Sequence, residues 1–169
     1  MASFTDRMIR AAKLDVNLYE EVEADKGAMG QATGVVILSS LAAGVGAIAH
    51  VGTAGILWGT VAALVSWYIW AFLTYIIGTK LLPEPQTRAD IGELLRTIGF
   101  STSPGLIRVL GIIPLLTPIV FLVSAIWMLV AMVIAVRQAL DYKSTGRAVG
   151  VCIIGWIIQG FILALLIRA

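Results

Sequence analysis

The sequence predicts an all-α, polytopic membrane protein. It has five transmembrane helices, the N-terminus in the cytoplasm and the C-terminus outside, plus short amphipathic helices at the interface. Three observations predict this. Hydrophobic residues fill 59% of the 169 positions and charged residues only 13%, where a soluble domain carries about a quarter of charged residues. No Asp, Glu, Lys or Arg occurs over 31–78, 109–136 or 148–167. About twenty apolar residues at ~1.5 Å each cross a hydrocarbon layer of ~30 Å, so every run holds at least one crossing. The third observation is that a five-helix threading gathers nearly all the bases on one side.

Residues 1–30 form a cytoplasmic lead, and 31–169 the transmembrane domain. In the lead, Phe4, Met8, Ala11 and Ala12 share a helical face with Arg7, Arg10 and Lys13 beside them, the pattern of a short helix lying on a membrane. The lead carries no cleavage-type ending, so it does not read as a secretory signal. An acidic patch follows at Glu20, Glu21, Glu23 and Asp25. It reads as the solvated face of a pre-membrane helix or as a surface for docking a partner.

The spans run over about 33–51, 55–78, 101–116, 119–136 and 148–167. Gly52, Thr53 and Ala54 are expected to turn the chain between the first two, which then form an antiparallel hairpin. Pro83 and Pro85 break the second helix. Thr87 with Asp90 resembles a helix start, and Ile91, Leu94, Leu95 and Ile98 then recur at helical spacing. That segment reads as an amphipathic helix on the membrane surface. Span 3 is short, ~24 Å if α-helical. Pro104 fits its first helical turn, with Ser103 as the cap, and Pro114 and Pro118 frame the turn after it. Charge settles whether it crosses. With five spans, Arg7, Arg10, Lys13, Lys26, Lys80, Arg88, Arg96, Arg108, Arg137, Lys143 and Arg147 share one side and only Arg168 lies opposite; a re-entrant span 3 would split them. The positive-inside rule favours five.

Several local patterns resemble the Yip1 family, in particular its short bacterial members. They are Asp15-Val16-Asn17-Leu18-Tyr19-Glu20-Glu21-Val22 before the membrane and Gly30-Gln31-Ala32 at the mouth of span 1. Glu93 to Pro104 ahead of span 3, and Ile126 to Leu140 closing span 4, carry the rest. The Gly99-Phe100-Ser101 to Pro104 segment resembles one family hallmark. A second, Asp-Leu-Tyr, is met in part: Leu18-Tyr19 is present, with Asn17 in place of the acid and Glu20-Glu21 following. The resemblance implies a five-helix membrane fold. For its eukaryotic members it implies association with Rab GTPases in vesicle traffic; for a bacterial relative it implies an integral protein of the cytoplasmic (inner) membrane and carries over no catalytic residue.

The residues themselves exclude several classes. His50 and Cys152 stand alone, so the usual metal clusters are missing, and no Gly-Lys-Ser/Thr loop cradles a phosphate. No carboxylate pairs with a histidine or nucleophile at a useful spacing, so no enzyme and no cofactor are expected. The bases are scattered and interleaved with acids, which excludes a nucleic-acid surface and suits lipid headgroups. Arg108, four residues after Pro104, is expected to snorkel to the cytoplasmic surface as an anchor, or else to serve a site. Gly30/Gly34, Gly55/Gly59 and Gly146/Gly150 place small residues one turn apart, for packing within or between protomers. Trp67, Tyr68 and Trp70 in mid-span are an aromatic core or line a pocket, with Ser66, Thr74 and Gln159 as candidate hydrogen-bond partners.

The reading is a non-enzymatic membrane protein that presents its cytoplasmic face to membrane-protein partners or to itself. The candidate interaction surface is Leu18, Tyr19, Glu20, Glu21, Glu23, Gly99, Phe100, Pro104 and Arg108. The alternative is a small transporter or handler of a lipid or neutral solute through the bundle.

Overall fold

The computed structural model describes the backbone of residues 3–168 and the side chains of residues 3–161. Among the described residues the regular structure is helical throughout. Two short helices lead, α1 (Phe4–Ala12) and α2 (Val16–Ala24). Then come α3 (Met29–Gly46), α4 (Ile48–Ile76), α5 (Ile91–Ser101), a 3₁₀ segment (Ser103–Ile112), α6 (Thr117–Ala139) and α7 (Thr145–Arg168). Lys26–Gly46, Ile48–Leu81 and Thr117–Ala139 are each long and apolar enough to cross a membrane; α7 is apolar as well, described in full to Phe161. The flanks carry Leu57, Trp58, Leu122, Ile126 and Ile157, each more than half exposed. A belt of large apolar side chains that dense suits a lipid-facing surface, not a water-facing one.

Helices α3 and α4 are antiparallel, with the Ser40 hydroxyl 3.3 Å from that of Thr60 and Gly44 seated against Ile56. The expected turn at 52–54 lies a few residues earlier. The chain leaves α3 at Ala47, makes one helical turn, and kinks at Gly52, whose φ of 64° lies in the left-handed region open to glycine. The 113–116 turn between the 3₁₀ segment and α6 stands where Pro114 and Pro118 predict it.

Two expectations are corrected over residues 91–112. The segment 91–98 is not a surface helix. Asp90 and Glu93 form a reciprocal capping box, so the helix starts at Ile91, and every residue from Leu94 to Ser101 is buried beneath α1 and α2 and against α3, α4 and α6. Its polar face can be buried because backbone oxygens satisfy it. Arg96 donates to the carbonyls of Val22 and Glu23 at the end of α2, while Thr97 and Ser101 return to carbonyls of their own helix. Nor is 101–116 one α-helix. Thr102, not Ser103, precedes a 3₁₀ run of 10 residues, although such runs rarely exceed about four.

The helix and the 3₁₀ run work together. Gly99 sits by Ala32, Gly105 by Ser39 and Gly111 by Gly46, so α5 and the 3₁₀ segment climb parallel to α3. At ~1.5 Å per α residue and ~2.0 Å per 3₁₀ residue, their 11 and 10 residues cover ~36 Å. That rise exceeds the ~24 Å of an α-helix over 101–116 alone. Helix α6 then descends, with Phe121 against Gly46 and Gly111, Met128 at Gly105 and Met132 at Trp70. Helix α7 runs against α4, with Gly150 near Leu82 and Gly155 on Trp70.

The bundle is packed unevenly along its length. Its largest fully buried side chains include Leu18, Tyr19, Leu94, Ile98, Phe100 and Leu140, all at the end that carries the lead and the 140–144 turn. The opposite end, around Gly46 and Gly52, is thinner. Close contact there depends on glycine: a Cβ on Gly46 would fall on the carbonyl oxygen of Arg108, and one on Gly111 would lie 2.9 Å from the Gly46 oxygen. The Gly30/Gly34 and Gly55/Gly59 pairs have no such role, since Gly30 and Gly59 face open space.

Candidate functional site

The first candidate is the lead. Arg7 is only 5% exposed and holds three elements together. Its Nε donates to Glu21 at 2.9 Å, Nη2 to Asp25 at 2.8 Å and Nη1 to Gln31 on α3 at 2.9 Å. Arg10 donates to Asp15 at 2.8 Å and Glu21 at 2.6 Å. These hydrogen bonds hold Glu21, through Arg10 and Arg7, and Asp25, through Arg7, below the usual carboxylate range. Half of the acidic patch is thus spent on docking the lead. Leu18 and Tyr19 are fully buried, with the Tyr19 hydroxyl donating to Ala11, and Trp127 on α6 donates to the Ala12 carbonyl at 2.8 Å.

What remains open is a polar groove of about 560 Å³ lined by Glu20, Glu23, Glu93, Arg137, Asp141 and Lys143, among others. Glu20 accepts from Gln138 at 2.8 Å across its rim. Burial pushes the Glu23 carboxyl up to about 7, helped by the negative field of Asp141, Glu93 and Glu20 and opposed by Arg96. Among the described residues no group of three or more His, Cys, Asp or Glu is arranged to hold a metal. The structure brings Glu20 and Glu23 together here; Gly99, Phe100 and Pro104 lie buried inside the bundle.

The second candidate lies inside the thinner half. An open cavity of about 520 Å³ is lined by α3, α4, α5, the 3₁₀ segment, α6 and α7, within the ~300–1,000 Å³ typical of small-molecule sites. Its wall is mostly apolar: Val36, Ile56, Phe121, Met128, Trp67 and Trp70, with Ser66 and Gln159 among the few polar groups. Val51, Gly59 and Trp156 also line it and are exposed, so it opens on the flank of the bundle. Neither tryptophan uses the partners expected from sequence. Trp67 donates to the Leu95 carbonyl at 3.0 Å and Trp70 lies 3.2 Å from the Met132 sulfur.

Arg108 lines this cavity, and it does not snorkel to an end. Its Nε donates to the Gly105 carbonyl at 3.0 Å, and Nη2 to the carbonyl and hydroxyl of Ser39 at 3.1 and 2.8 Å. Ser39 is mid-way along α3, so the guanidinium is at mid-bundle. The expected depth differs because the helical rise along α3 begins at Ile91, thirteen residues before Pro104.

Residues 22–167 match the Yip1 domain family. The chain belongs to the Yip1 family. No curated protein and no solved structure matches it. The Yip1 match begins at Val22, within α2, and takes in α3 through most of α7. Both candidate sites are built mainly from this region, with Glu20 in the groove as an exception. The Yip1 family is not known for enzymatic activity. Sequence reasoning missed Ser39, Gly59 and Arg108 as parts of one cavity. The available signal was Arg108 itself, the one base within an otherwise charge-free run from Thr97 to Val136.

Proposed function

We propose that this Yip1-family protein is a non-catalytic integral membrane protein that takes a lipid or other small molecule into the flank of its bundle. The observation that carries this reading is the apolar cavity of about 520 Å³ opening between exposed positions of α4 and α7. Five crossings, by α3, α4, α5 with the 3₁₀ segment, α6 and α7, suit the alternating directions of these elements. The positive-inside rule then gives a cytoplasmic N-terminus and an outer C-terminus. With the short bacterial members it resembles, the protein belongs in a bacterial cytoplasmic membrane. A helix flank opening toward lipid admits molecules already dissolved in the bilayer, whose partitioning supplies most of the driving force.

The test is a thermal melt of the purified protein with lipid extracted from its own membrane. A ligand at about 100-fold its Kd stabilises by ~2.7 kcal/mol, or roughly 5–10 °C for a protein of this size. Gly59→Phe adds a ring at the edge of the cavity, which Gly59 lines and where a Cβ meets nothing within 4 Å, and is expected to melt at the same temperature with and without lipid. Equal stabilisation of both proteins would contradict the reading.

A second reading is favoured by the open groove at Glu20, Glu23, Glu93 and Asp141: a scaffold whose cytoplasmic face docks a basic segment of another membrane protein or of a second copy. Reversing charge at Glu20 and Glu23 is expected to remove a co-purifying partner. Retention of that partner by the double variant would count against the groove.

A further inference from the structure

The acids of this chain occupy only positions 6–25, 84–93 and 141. None falls in α3, α4, the 3₁₀ segment, α6 or α7, so the cavity wall has no carboxylate with which to neutralise a cation. Arg108 is nevertheless in that wall. Five N–H groups radiate from a guanidinium. Nε and Nη2 are engaged by Gly105 and Ser39, both neutral acceptors. Among the described residues Nη1 makes no hydrogen bond, and Arg108 is in no ion pair. Space for the group has been cleared: a Cβ at Gly105 would sit 2.6 Å from Nη2.

A cation at mid-bundle, half-satisfied and without a counter-charge, is costly in an apolar setting. The hydrogen bonds from Nε and Nη2 fix the plane of the guanidinium and leave the two N–H groups of Nη1 to donate to a ligand, and charge-assisted hydrogen bonds of this kind suit carboxylate and phosphate oxygens. The remaining walls are aliphatic and aromatic side chains, and the mouth opens toward lipid. We infer that the cavity binds an amphiphilic anion, its carboxylate or phosphate head on Arg108 and its apolar chain along Trp67, Trp70 and Trp156. This deepens the proposed function and rests on it, by specifying the charge and shape of the occupant.

The tryptophans supply the readout. The full-length protein in dodecyl maltoside micelles is titrated with brominated phosphatidylglycerol, dibromostearate or, as the zwitterionic control, brominated phosphatidylcholine, while tryptophan emission is recorded. Bromine quenches on contact, so an occupied cavity darkens Trp67, Trp70 and Trp156; the exposed Trp58 contributes a background common to all probes. At least one anionic probe is expected to half-quench at about a tenth of the concentration phosphatidylcholine needs, and whichever does so names the head chemistry. Arg108→Gln is expected to erase the preference and Arg108→Lys to restore part of it. Excess inorganic phosphate is expected to change nothing, because a head without a chain leaves the apolar walls unfilled.

Equal quenching of the native protein by all three probes overturns the inference, and this comparison decides the matter even where Arg108→Gln fails to fold. Relief of quenching by inorganic phosphate overturns the amphiphile, in favour of a free anion. Gly59→Phe separates the two levels of argument. If it removes quenching by equal probes, the cavity binds and the anion assignment alone fails. If it changes nothing for any probe, the cavity reading falls as well.

Discussion

Replacing Gly46 by alanine probes the joint between α3 and the 3₁₀ segment, on which the shape of the cavity depends. The added Cβ would overlap the Arg108 carbonyl oxygen, lie 2.9 Å from its carbon and 3.3 Å from Phe121 Cε2. Two of these neighbours are backbone and cannot rotate away, so the segments must separate. Overpacking of this kind costs ~1–3 kcal/mol, offset in part by the gain of up to ~1 kcal/mol when alanine replaces glycine in a helix. Gly59→Ala gives the same propensity gain with no neighbour within 4 Å. The two variants therefore separate packing from propensity. The propensity gain cancels between the two variants, so at about 2–4 °C per kcal/mol Gly46→Ala is expected to melt some 2–12 °C below Gly59→Ala, which melts at or slightly above the native protein. Intrinsic tryptophan fluorescence on heating in detergent is the assay. Identical melting temperatures for the two variants would refute the claim that α3 and the 3₁₀ segment meet backbone to backbone.

Further outcomes are expected at the lead. Glu23, held at about 7 in the fold against an ordinary value of 4.5, binds more protons folded than unfolded between those limits. Its contribution is therefore present at low pH and lost as pH rises through about 7; melting temperature should fall from pH 5 to 8, and Glu23→Gln should flatten that slope. Arg7→Met leaves Glu21, Asp25 and Gln31 without their shared donor. Because both carboxylates are about one-third exposed, the cost is expected near ~1–2 kcal/mol, below that of a fully buried pair, and to appear as faster hydrogen exchange over residues 4–24 with the bundle unchanged. Trp127→Phe removes the hydrogen bond to Ala12 and should speed exchange in α1 alone, by the ~1 kcal/mol of one such bond. A uniform change across all helices in either exchange experiment would show that the lead does not open as a separate unit.

The charge-free runs made α3, α4, α6 and α7 legible, because length and hydropathy need no knowledge of neighbours. The buried helix at Ile91–Ser101 was not. Ile91, Leu94, Leu95 and Ile98 form one apolar stripe, and Arg96 on the other side reads as solvent-facing until the carbonyls of Val22 and Glu23 are known to receive it. Such acceptors belong to the backbone of another segment and leave no trace in residue type. The same holds for the acidic patch, where Glu21 and Asp25 read as surface charge although Arg7 and Arg10 engage them. Spacing rules also pointed away from the glycines that pack inside the bundle. Gly30/Gly34 and Gly55/Gly59 fit the one-turn interval, whereas Gly46, Gly105 and Gly111 bring α3 and the 3₁₀ segment together from distant positions, with no periodicity to announce them.

The central claim is that the flank cavity holds a molecule. Native mass spectrometry of the protein released from its own membrane, beside Gly59→Phe prepared identically, tests it most directly. The account predicts a single additional mass at fixed stoichiometry on the native protein, anionic once released, and none on the variant. A bare native protein, or the same additional mass on both, would contradict it.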